Sequence, residues 1–150
     1  MTNVSRWAGV FVLVFGTASP ALAQQQAVAG RIKLVSGSAF VVRDGKAIPA
    51  SAGQELMQAD SLRTGDDGRL GIMLKDDTRV SLGPDSEVRL ERFVYAPAEG
   101  NLALALKFVR GAMAYVSGRI AKLAPDSIRL ETPAAIVGVR GTTLAIRVQS

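Results

Sequence analysis

Residues 69–91, RLGIMLKDDTRVSLGPDSEVRLE, decide the fold. Leu70, Ile72 and Leu74 fall on alternate positions before Asp76-Asp77 turns the chain. Val80 and Leu82 alternate with Arg79 and Ser81, and Gly83-Pro84-Asp85-Ser86 is a turn by composition. In Glu87–Glu91, Val88 and Leu90 share one face and three charged residues share the other. A period of two places alternate side chains on opposite faces of a strand, so this stretch reads as three short strands joined by two turns. At Arg92-Phe93 the phase slips, which predicts a bulge or a strand end.

The same period extends both ways. Upstream, Arg31–Leu34 and Ala39–Val42 alternate around a Ser-Gly-Ser break, and Asp44-Gly45 before Ala47-Ile48 is a hairpin signal. Downstream, Leu102, Leu104, Leu106 and Phe108 share one face of a longer strand that continues through Gly111–Val116. Ile120–Ala124 allows one helical turn, which Pro125 ends. Ile128–Glu131 and Leu144–Val148 alternate again. No sustained helical stripe occurs, and turns recur every 8 to 12 residues. The expected class is all-β, a single β-sandwich or short β-helix-like domain.

Ahead of this domain, Met1–Ala23 reads as a signal peptide. Arg6 supplies positive charge, and Trp7–Ala18 is an apolar run too short for the roughly 20 residues of a membrane span. Ala21-Leu22-Ala23 is a small-residue cleavage site before Gln24. The expected organisation is a signal peptide over 1–23, a flexible leader over 24–29 and one β domain over 30–150. The mature chain is then periplasmic, with no transmembrane segment.

The chain has 18 Lys and Arg, 13 Asp and Glu, no Cys and no His, for a net charge of +5. Thiolate nucleophiles, disulfides, Cys/His zinc sites and an imidazole base are thereby excluded. Nothing singles out a catalytic pair among the acids, so no enzyme and no cofactor are expected. Asp66-Asp67 and Asp76-Asp77 lack calcium-loop spacing and read as turn-capping residues, so no metal is expected either. Cations alternate with acids, as in Glu87–Arg92, and aromatics are only 5%, which disfavours nucleic acid.

Three segments echo one another: Val35–Val42, Val109–Val116 and Val139–Ile146, with Gly37, Gly111 and Gly141 at a shared place. Such a glycine marks a bulge or a close backbone approach. Arg140 stands in an otherwise apolar stretch, so its guanidinium needs a carboxylate or carbonyl partner. Arg140, Gly141 and Thr142 are the candidate residues for binding a carboxylate or phosphate. A structural role for Arg140, pinning a turn, competes with this reading and is preferred.

Gly30–Gly45, Asp60–Gly65, Gly68–Gly83 and Phe108–Gly111, in this order, resemble the FecR domain family. Thr132-Pro133-Ala-Ala-Ile-Val-Gly138-Val-Arg140-Gly141-Thr142 is similar to that family's closing segment. The resemblance implies an all-β envelope domain, best known as the periplasmic part of anti-sigma regulators in cell-surface signalling. Too little chain precedes Trp7 for a cytoplasmic sigma-binding segment, so a stand-alone exported domain is expected. Its expected function is a non-catalytic binding or interaction module of envelope sensing or signalling. The alternative is a structural protein supporting a membrane or cell-wall assembly. Related domains commonly continue beyond the R-G-T segment. Here Leu144–Val148 is expected to be an edge strand, covered by an earlier segment or paired with a protein partner or a second copy.

Overall fold

A computed structural model describes residues 27–139 and 143–149. The stretch 69–91 forms β6 (Arg69–Leu74), β7 (Arg79–Leu82) and the start of β8 (Glu87–Ala96), with the two expected turns between them. Before these lie β1 (Val28–Ser36), β2 (Ala39–Arg43), β3 (Lys46–Pro49), β4 (Glu55–Met57) and β5 (Ser61–Thr64). After them come β9 (Asn101–Val116), α1 (Arg119–Leu123), β10 (Ile128–Glu131), β11 (Ile136–Val137) and β12 (Thr143–Val148). The first strand begins at Val28, ahead of the expected Gly30, because Ala29 is buried and Val28 pairs with Met57.

The strands form one curled sheet, a half-barrel of all-β class. Every described pairing is antiparallel except β10 with β9, which rules out the parallel coils of a β-helix. The sheet has two halves that share β9. The first runs β4-β1-β6-β7-β9-β12, and the second runs β3-β2-β5-β8-β9-β10-β11. Four of the places where the chain passes between halves lie together, at Ser36–Ser38, Gly65–Gly68, Gly83–Ser86 and within β9 at Gly111.

These crossings are tied side by side into a polar seam. Gly65 N–H donates to the Ser38 carbonyl at 2.8 Å, and Asp85 N–H donates to the Gly65 carbonyl at 2.9 Å. Thr64 Oγ1 donates to the Gly83 carbonyl at 2.6 Å and accepts from Ser86 N–H at 2.9 Å. Ser86 Oγ accepts from Ala112 N–H at 2.9 Å and donates to its carbonyl at 3.1 Å. Gly37 and Gly111, two members of the sequence echo, both take positive φ here. The backbone leaves regular strand geometry at the seam, and these hydroxyls satisfy the groups the ladder gives up.

The inner faces form one core of alternating apolar residues, including Ile32, Leu70, Val80, Val88, Leu106, Phe108 and Tyr115. Asp44 (φ 51°) and Gly45 (φ 77°) make the expected β2–β3 hairpin turn. The phase slip at Arg92 is a register shift between Leu90 and Arg92. Both aspartate pairs act at turns. Asp67 Oδ1 accepts from Ser38 N–H at 3.1 Å, and that bond holds its carboxyl below the ordinary carboxylate range. Buried Asp76 accepts from Thr78 N–H, Thr78 Oγ1 and Ile120 N–H, which seats α1 on the β6–β7 turn.

Tyr115 is fully buried, and that burial raises its phenol pKa. An unfolded tyrosine ionises near pH 10, ahead of the folded one, so the contribution of Tyr115 to stability is constant below that value and falls as pH rises through it. Urea unfolding of the wild type between about pH 9 and 11 is expected to show a steeper alkaline loss than that of Tyr115→Phe. Equal slopes would assign the loss to other groups.

Candidate functional site

Four strands lie at the described edges of the sheet, and they differ in how their exposed backbone is protected. In the second half, β3 carries Lys46 and ends at Pro49, and β11 has two residues. In the first half, β4 has three residues, and its Glu55 pairs with Arg31 at 3.2 Å. Short length, proline and charge each discourage an added strand. β12 has none of this apart from Arg147. It is six residues long, contains no proline, and among the described residues pairs only with β9.

Register fixes which side chains β12 presents. Leu144 lies opposite Tyr115 and Ile146 opposite Met113, on the core face. Tyr115 and Met113 are buried, whereas Leu144, Ile146 and Val148 are only half-buried against the core. Thr143, Ala145 and Arg147 point to the outer face and are exposed. Unpaired backbone groups and incompletely covered apolar side chains therefore occur on the same strand. A strand added to β12 would satisfy both, through ladder hydrogen bonds and continued core burial.

The candidate binding residues Arg140, Gly141 and Thr142 lie outside the described residues. They belong to the segment between Val139, which is buried, and Thr143, which opens β12. Among the described residues, no group of three or more acidic side chains is placed to hold a metal ion. No described helix is long and apolar enough to cross a membrane. The signal-peptide residues also lie outside the described ones.

Sequence reasoning missed the buried polar groups. Asp60 is only 2% exposed, and its two oxygens accept from Arg43 Nε at 2.9 Å and Nη2 at 2.7 Å. The bond to Asp60 holds the Arg43 guanidinium above its ordinary pKa. Arg43 also donates to the Glu55 carbonyl at 3.1 Å, and Leu90 N–H donates to the Asp60 carbonyl. This pair joins β2, the β4–β5 loop and β8, and is structural. No local pattern joins the two, because they lie 17 positions apart, Arg43 at the end of β2 and Asp60 in the β4–β5 loop.

A family model described as FecR protein matches residues 60–150. No curated protein and no solved structure matches the chain.

Proposed function

The chain belongs to the FecR protein family, and from that membership we propose that it is a non-catalytic, exported interaction module of envelope signalling, binding a protein partner along β12. In this reading an extended segment of the partner adds a strand to the free side of β12. The observation that carries it is that edge: six residues of ladder with one charged residue, above half-buried Leu144, Ile146 and Val148. Main-chain bonds supply affinity, and the alternate apolar positions supply selectivity. The candidate segment 140–142 leads into the same strand.

Proline substitution tests this. Successive N–H groups in an antiparallel strand point to opposite sides, so of Ala145 and Ile146 one donates toward β9 and the other toward the free side. Both Ala145→Pro and Ile146→Pro are to be made. One loses a ladder bond to β9 and is destabilised by at least about 1 kcal/mol. The other is expected to keep its thermal midpoint and to lose crosslinking and pull-down of the envelope partner. Unchanged capture and unchanged oligomeric state in the folded variant would rule the edge out as the binding site.

A further inference from the structure

The outer face of the first half carries cations with few carboxylates among them. Cross-strand register aligns Arg31, Met73, Arg79, Val116 and Thr143 in one row. The next row is Leu34, Gly71, Ser81, Ala114 and Ala145, and beyond it lie Arg69 and Arg147 around Ala112. With Lys33, which borders the same face beside Arg31 and Met73, this surface holds five exposed cations. Two carboxylates border this face, Glu55 paired to Arg31 and Asp77 paired to Arg119. Arg69, Arg79 and Arg147 have no ion-pair partner among the described residues. The outer face of the second half also carries cations, but sets Arg63, Lys107 and Arg110 in register with Glu87 and Glu131.

Two large apolar side chains project from among these cations. Leu34 is 59% exposed and Val116 is 38% exposed, and the Leu34 Cβ stands above Gly71 on the outer side. The Leu34 row between β1 and β9 is otherwise glycine, serine and alanine. A cationic face with isolated apolar side chains matches an anionic bilayer surface, where charge attracts and the apolar groups enter the headgroup boundary. It lacks the aromatic platforms that bases stack on.

We infer that this face docks the protein onto a membrane surface rich in anionic lipid. The face reaches β12 through the outward-facing Thr143, Ala145 and Arg147, whereas the partner in the proposed function would pair with the strand's backbone edge.

The test is co-sedimentation of the exported chain with phosphatidylcholine vesicles that contain or lack phosphatidylglycerol. Sedimentation is expected only with the anionic lipid, with release in molar salt as the charges are screened. Each cation near the surface strengthens binding about fivefold, so Arg69→Gln with Arg79→Gln is expected to weaken it about 25-fold. Arg89→Gln with Arg92→Gln makes the same charge change on the other half and is expected to have little effect. All four side chains are exposed, so both variants are expected to keep the wild-type thermal midpoint. Three results would each overturn the inference. They are no dependence on phosphatidylglycerol, equal loss in the two double variants, and sedimentation that persists in molar salt.

Discussion

Arg43→Ala is expected to lower the unfolding free energy by about 3–5 kcal/mol, the usual cost of stranding one member of a buried ion pair. The asymmetry of the pair sets the expectation. Asp60 is 2% exposed, whereas the Arg43 side chain keeps 31% of its surface in water. Without Arg43, the Asp60 carboxylate stays buried with the Met57 backbone N–H, at 2.8 Å, as its remaining donor. In Asp60→Asn, Arg43 can turn to solvent, so that change is expected to cost less, about 1–3 kcal/mol. Arg43→Lys cannot reproduce the two-pronged contact and is expected to fall between them. Urea unfolding of the three variants checks the order. A loss below about 1 kcal/mol for Arg43→Ala would mean that water reaches Asp60 in the folded state.

Much of this fold was legible because its turns are made by residues with local reasons to turn. Asp44-Gly45, Asp76-Asp77 and Gly83–Ser86 each supply a residue at positive φ where the chain reverses or changes halves. The longest strand was legible from its every-second apolar positions, and the bulge at Arg92 from the break in phase. Three strands were not. β4 and β11 are too short to show a period. β5 places Leu62 and Thr64 inward, and a core-facing threonine disguises the alternation, its hydroxyl being used by Gly83 and Ser86. The strand β12 was legible from its period. Its neighbour was not legible, because β12 pairs with Gly111–Val116, some 30 residues upstream, across α1 and two strands of the other half. Gly37 and Gly111 resemble one another in sequence because each carries a strand through the seam. The third member of that echo, Gly141, lies outside the described residues.

The seam makes the sharpest prediction about a single side chain. Gly111→Ala is expected to destabilise the protein by about 2–5 kcal/mol, from two separate causes. Gly111 has φ of +92°, where an L-residue pays about 1–2 kcal/mol in strain. Its new Cβ would also overlap Ser86 Oγ and lie 2.5 Å from Ser86 Cα and 2.7 Å from the Asp85 carbonyl oxygen. Two of these three atoms are backbone, so relief requires the Gly83–Ser86 crossing to move, and overpacking of this kind adds about 1–3 kcal/mol. That crossing holds Ala112 through the Ser86 hydroxyl, and Ala112 lies opposite Arg147 of β12. The variant is therefore expected to weaken both the fold and the placement of β12. Gly100→Ala separates the two causes. Gly100 has φ of +68° but nothing within 4 Å of its notional Cβ, so it should lose only the strain, about 1 kcal/mol, and keep partner capture. Thermal and urea unfolding of both variants measure the difference. Equal losses would mean that the seam yields to a methyl group, and that Ser86 does not fix the bend in β9.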